Sequence, residues 1–185
     1  MDYLRPDTGK INIRLQTTSY RKDSILTDEI TIRQATLAHV EQIVTHRRRM
    51  FEDMGNKDPE ALSRMVAVFR PWVIDHMQRD LYHSWLACNA QGTVVAGSDV
   101  WLIDWPAGQY DVSPYRGYIL NVFTHPDYRR RGLARQLVQA CTDWCYAHDV
   151  HILTLHASDE GRKIYESMGF TPTNEMHTWK DHSHS

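Results

Sequence analysis

The chain has 185 residues, 42% hydrophobic and 24% charged, the proportions of a globular domain with a real core rather than of a disordered chain. Its formal net charge of -2 excludes polyanion binding by bulk electrostatics, so any basic site must be local. No apolar run approaches the roughly 20 residues of a membrane span, and the opening "MDYLRPDTGKINIRLQTTSYRKDS" lacks the apolar centre of a secretion signal, so the expected location is cytoplasmic.

Residues 1–27 are polar and irregular, either a flexible tail or an arm packed on the domain. A single domain is expected over residues 28–181. "EITIRQAT", Glu29 to Thr36, alternates apolar and polar and predicts a strand. Thr36 is placed to cap a helix on which Leu37, Val40, Ile43, Val44, Arg47 and Phe51 recur at helical spacing. Asp58 before Pro59 is a second start signal, a cap followed by a first-turn proline. That helix runs through Leu62, Met65, Val66 and Phe69, and Pro71 is expected to kink or restart it. "HSWLACNA" and "TVVAGSDVWLID" flank Gln91-Gly92 and predict a hairpin. After the loop "WPAGQYDVSPYRG" comes a strand, Tyr118 to Thr124. Leu133, Leu137, Val138, Cys141, Trp144 and Cys145 mark a helix of about four turns. His151 to Ala157 predicts a strand, residues 160–168 a short helix closed by Gly169, and "EMHTWK" a last strand. The strand–helix–strand unit from Tyr118 to Ala157 should be a right-handed parallel crossover. The hairpin makes the sheet mixed, so the expected fold class is α/β with a mixed sheet.

Three cysteines give no disulfide framework, and Cys141 and Cys145, four apart on one helix, read as small buried hydrophobes. The scattered histidines, with His177, His182 and His184 near the C-terminus, make no zinc pattern, and no metal is expected.

The densest stretch is "NVFTHPDYRRRGLARQL", from Asn121. A strand ends near Thr124, a turn carries Arg129, Arg130 and Arg131, and a helix starts at about Gly132. The first N–H groups of that helix have no partners within it, and its dipole adds about half a positive charge there. Gly132 and Ala134 let a ligand approach the backbone, and the arginines add charge from the flanks. This is a candidate phosphate or pyrophosphate site. It is neither a Walker loop, lacking Gly-Lys-Ser/Thr, nor a dinucleotide fingerprint, having one glycine.

"NVFTHPDYRRRGLARQLVQA" resembles the acetyl-CoA-binding motif of the GNAT superfamily of N-acetyltransferases, V-x-P-x-x-[Q/R]-x-x-G-x-[G/A]. Thr124 takes the valine place, Pro126 the proline, Arg129 the Gln/Arg, and Gly132 and Ala134 the small positions. "LHASDEGRKIYESMGF" resembles the family's second motif, N-x-x-A-x-x-x-Y-x-x-x-G-F. Tyr165, Gly169 and Phe170 match, while Ser158 stands in place of the asparagine and Gly161 of the alanine. The resemblance covers residues 29–180. It implies a central, mostly antiparallel sheet with one splayed parallel strand pair, flanked by helices. It also implies an enzyme with acetyl-CoA as cosubstrate. In such a site Val122, Phe123 and Thr124 pair with the pantetheine arm. The backbone of Arg130, Arg131, Gly132, Leu133, Ala134 and Arg135 receives the pyrophosphate. An N–H near Val122 or Phe123 polarises the thioester carbonyl. Tyr165 is the implied general acid for the leaving thiolate, since a phenol stays protonated at neutral pH. Ser158 either contacts the pantetheine region or caps the helix after it.

No single general base is singled out among Glu52, Asp53, Asp99, Asp104 and Asp111. As a group these acids suit a cationic amine, and Glu52 and Asp104 are candidate substrate contacts. Asn121, polar in an apolar run, either faces the acceptor cleft or satisfies a neighbouring backbone group. Trp85, Trp101, Trp105, Tyr110 and Tyr115 are candidate cleft walls. The expected function is acetyl transfer from acetyl-CoA to a small primary amine, with no nucleic-acid or membrane partner and a possible homodimer. A protein or peptide amine and a non-catalytic acyl-CoA sensor are the alternatives.

Overall fold

The structure, a computed structural model, describes residues 29–109 and 111–178. In chain order the elements are β1 (Thr31–Gln34), a 3-10 turn (Leu37–His39), α1 (Val40–Asp53), α2 (Pro59–Gln78), β2 (Tyr82–Cys88), β3 (Val94–Asp104), β4 (Tyr115–Thr124), a 3-10 turn (Pro126–Tyr128), α3 (Leu133–Ala147), β5 (Leu153–Leu155) and α4 (Asp159–Glu166). The strands form one sheet in sequence order, antiparallel except for the parallel β4–β5 pair. This is the mixed α/β architecture expected. Among the described residues no helix is long and apolar enough to cross a membrane.

Local chemistry explains the element starts. Asp58 Oδ1 accepts the N–H groups of Glu60 and Ala61 at 2.9 and 3.0 Å and opens α2 with Pro59 in its first turn. Gly132 is the N-cap of α3 at φ +77, a conformation glycine takes without a Cβ penalty.

Three expectations need correction. α2 runs unbroken through Pro71 to Gln78, because buried Phe69 and Val73 on either side of the ring hold it against Val40, Ile43 and Val44 of α1. That packing outweighs the roughly 3 kcal/mol an interior proline costs. β4 begins at Tyr115, three residues early, because Asp104–Tyr115 to Trp101–Tyr118 already pair across the sheet. Glu175 to Thr178 form no strand, and the rest of the expected last strand lies outside the described residues.

The core has two layers, one on each face of the sheet. α1 and α2 bury Ile43, Val44, Phe69 and Val73 with Tyr82 of β2. α3 buries Leu137, Val138, Cys141 and Cys145 against Val100 and Ile119 on the other face. All three cysteines are free and buried, as small hydrophobes would be. Burial pushes the Cys145 thiol up to about 12, which keeps it protonated and inert.

β4 carries the irregularity that makes the site. Gly97 lies opposite Phe123 and Asp99 opposite Leu120, so Asn121 and Val122 together face the single residue Ser98. Asn121 sits at φ +52, which asparagine tolerates better than most residues. This is a β-bulge. On its other side, β4 pairs with β5 only from Gly117 to Ile119. Beyond Ile119 the two parallel strands part.

Candidate active site

Where the strands part, a cavity of about 1010 Å³ opens. Its floor is the far half of β4, Leu120 to Thr124, and one wall is Leu155, His156 and Ser158 at the end of β5. Ala134 at the start of α3 and Tyr165 of α4 border one end, and residues of α1 and α2 line the other. The cavity thus spans an unpaired strand edge and a helix N-terminus. Such a place offers backbone N–H groups to a long ligand carrying phosphates.

The expected ligand-binding residues gather here in two ways. Val122, Phe123, Thr124, Arg129, Ala134 and Ser158 line the cavity directly. Gly132, Leu133 and Arg135 frame its helical end, Leu133 with its side chain in the core. The exposed guanidinium of Arg129 is tied back to the fold: Nε donates to the Thr124 carbonyl at 3.0 Å and Nη2 to Asp53 at 2.6 Å. Arg131 donates from Nη2 to the Asp127 carbonyl at 3.1 Å and stacks over Tyr128. Arg135 bonds to Ser167. Arg130 is exposed and left-handed at φ +60. The cluster thus braces the turn between β4 and α3 with most of its side chains.

Tyr165 is half-buried beneath Phe170, its ring 6.1 Å away, and burial raises its pKa. Gly161 explains one departure from the family pattern. A Cβ there would lie 2.9 Å from Tyr165 Cε2, so the glycine makes room for the ring. Ser158 caps α4, its hydroxyl accepting the Gly161 N–H at 3.2 Å, and still lines the cavity.

The acceptor end differs from expectation. Glu52 is paired with Arg48 at 2.9 Å and does not line the cavity, being turned along the outer face of α1. Asp104, at the outer end of β3, and Asp111, held to Ser113 and His151, do not line it either. Of the expected aromatic walls among the described residues, only Trp101 reaches it. Trp85 packs on the α3 face, and Trp105 lies under Arg116 at the rim of the sheet. Tyr115 packs against the α3-side core, and Tyr110 lies outside the described residues.

A buried polar network lies there instead. Asn121 Nδ2 donates to the Tyr82 hydroxyl and to Asp99 Oδ2, both at 2.8 Å. Tyr82 donates to the same Asp99 oxygen at 2.6 Å, and Arg47 Nη1 donates to Asn121 Oδ1 at 2.8 Å. Burial lifts the Asp99 carboxyl to about 6, against the pull of these donors. Asn121 thus lines the cavity, the first of its two expected places, and its amide bonds to buried side chains rather than to a neighbouring backbone group. Sequence reasoning missed Arg47, Trp72, Tyr118 and His156 as cavity residues. Arg47 had left one signal: it is the charged member of an otherwise apolar helical stripe.

Comparison with known proteins agrees with this geometry. The family model described as "Acetyltransferase (GNAT) family" matches residues 40–170. A GCN5-related N-acetyltransferase from Ralstonia eutropha is 28% identical, with TM-score 0.76 over 82% of this chain and 98% of its own. A predicted acetyltransferase from Clostridium acetobutylicum, solved with acetyl-CoA, shares the fold at 23% identity and TM-score 0.72, covering 84% of this chain and 99% of its own. The aminoglycoside N-acetyltransferase AAC(6')-Iy, solved with CoA, does so at 19% and 0.60, covering 84% and 96%. No curated protein matches the chain.

Proposed function

The chain belongs to the GNAT acetyltransferase family, and from that premise we propose that it transfers the acetyl group of acetyl-CoA directly to the primary amine of a small molecule. The observation that carries this reading is the parting of β4 and β5 at Ile119, which opens an unpaired strand edge onto the cavity. The chain's own groups suit acetyl-CoA. The free edge from Leu120 to Thr124 matches an amide-bearing arm, and the N–H groups at Gly132 to Arg135 match a pyrophosphate. Acetyl-CoA supplies an activated thioester.

The protein's part is to hold and orient. In this reading a backbone N–H of Val122 or Phe123, both in the cavity lining, stabilises charge on the thioester carbonyl oxygen. Phe123 is kept in place by His46, whose ring lies 5.0 Å away. As the amine nitrogen bonds the acetyl carbon and the C–S bond breaks, Tyr165 delivers a proton to the departing sulfur and regains one from the water that takes up the amine's proton; its burial-raised pKa keeps the phenol protonated. The aromatic acceptor end, lined by Phe51, Phe69, Trp72 and Trp101, suits a small amine with an apolar part. The reading includes cytoplasmic action and one acetyltransferase domain over residues 28–181, with residues 1–27 as an extension.

Thiol release from acetyl-CoA against amines, amino acids and peptides tests it. Tyr165→Phe should lower kcat by about 100-fold with the KM for acetyl-CoA little changed. Wild-type turnover in that variant would remove the acid role. Tight acetyl-CoA binding with no acceptor used would instead favour a sensor.

A further inference from the structure

We propose that the acceptor is an amine that also carries a carboxylate, gripped by Arg47, with its apolar side chain among the rings beside it. The inference rests on the transferase reading and specifies its substrate class.

The acceptor end has a cation but little free acid. Asp53 lines the cavity yet is bound to Arg129, and Asp99 is sealed behind Asn121 and Tyr82. Glu160, on α4 near Tyr165, is the other carboxylate of the lining. A polycationic acceptor finds few partners in such a wall.

Arg47 is presented rather than consumed. Its guanidinium lies 4.6 Å over the Phe69 ring and 5.2 Å from that of Phe51. Among the described residues Nη1 donates to Asn121, while Nε is buried with no hydrogen-bond partner. Burial pulls its pKa down, and the buried Asp99 carboxylate works against that, so the group stays cationic. A planar fork fixed between rings is ordered before a ligand arrives. Its remaining donors match one carboxylate, whereas a doubly charged phosphate would need more cations than this one. Trp72 and Trp101, 5.2 Å apart edge to face, continue the apolar wall. Arg47 is anchored to Asn121, the residue next to Val122, so the cation and the backbone proposed to hold the acetyl group meet on one strand.

The experiment uses the full chain, saturating acetyl-CoA and matched acceptors. Phenylalanine, methionine and tryptophan are each compared with their amide, their decarboxylated amine and, for anion choice, O-phosphoserine. The acids should exceed their amides by about 10–100-fold in kcat/KM, the worth of a hydrogen-bonded charge pair. Arg47→Met should remove that preference, lowering kcat/KM for the acids more than for the amides until the two are equal. Arg47→Lys should restore part of it. In parallel, quenching of tryptophan fluorescence by the N-acetylated acids and amides, with CoA present, reads binding without turnover. It requires no variant to fold. Equal use of acids and amides, or a preference for the phosphoamine, overturns the inference while the transferase reading stands. Acids outbinding amides with no thiol release does the reverse.

Discussion

The two ends of the cavity are built in opposite ways. At one end, around Gly132, the useful groups are backbone N–H groups drawn from one continuous stretch of chain, Asn121 to Arg135. At the other, the useful groups are side chains from α1, α2, β2, β3 and β4, joined across separations such as the 74 positions from Arg47 to Asn121. The first end depends on chain geometry and tolerates side-chain change. The second depends on side chains that also hold the core together, so there binding and stability cannot be separated.

Perturbing each end tests the contrast. Asn121→Leu should have the largest effect. It removes the donor to buried Asp99 and Tyr82 and puts a leucine at φ +52. We expect about 4 kcal/mol of stability lost, read by chemical denaturation. A change confined to KM would contradict the coupling at this end.

Next comes a pH effect, worth about 3 kcal/mol for each of two groups. Asp99 titrates near 6 when folded and 3.8 when unfolded, so the folded chain holds that proton more tightly. Its contribution to stability is complete below 3.8 and is lost as pH rises through 6. His46, buried neutral between Gly97 and Phe123, is pushed from 6.5 down to about 4 by loss of water. Its contribution is complete above 6.5 and is lost as pH falls through 4. The two slopes oppose each other between about 4 and 6. Wild-type stability should be nearly level there, and His46→Met should make it fall as pH rises. A level profile in the variant would show that Asp99 is not the balancing group.

At the backbone end, Gly132→Val should raise the KM for acetyl-CoA about 30-fold with a smaller loss of stability, because a β-branched residue resists φ +77. Unchanged affinity would mean that the N-cap conformation is not what the donor needs. Smallest is Gly161→Ala. Its methyl group presses on the edge of the Tyr165 ring, and kcat should fall about fivefold, checked by thiol release.

The same contrast explains what could be read in advance. Asp58-Pro59, Gln91-Gly92 and the turn at Gly132 are short-range instructions, and each appears where expected. The sheet class followed from strand and helix periodicity. The acceptor end was largely unreadable. Asn121 was noticed as polar in an apolar strand, but its partners Tyr82, Asp99 and Arg47 lie in three other elements. Glu52 and Asp104 attracted attention because acids near an amine site make sense, yet the helix face and strand end that carry them turn away from the cavity. Pro71 misled for the opposite reason: a strong local rule was overruled by Phe69 and Val73 packed on either side of it.

The extra residue in β4 has one more consequence. Before it, odd-numbered Ile119 belongs to the α3 side and even-numbered Leu120 to the α1–α2 side. After it the parity is reversed: Val122 packs with the α3-side core, and Phe123 lies against His46 of α1. The strand is thus two phase-shifted segments joined at Asn121. Deleting that single residue would restore one unbroken alternation, with Val122 still toward α3 and Phe123 still toward α1; the layers do not need the extra residue, and what its loss would remove is the side chain that joins Arg47, Tyr82 and Asp99.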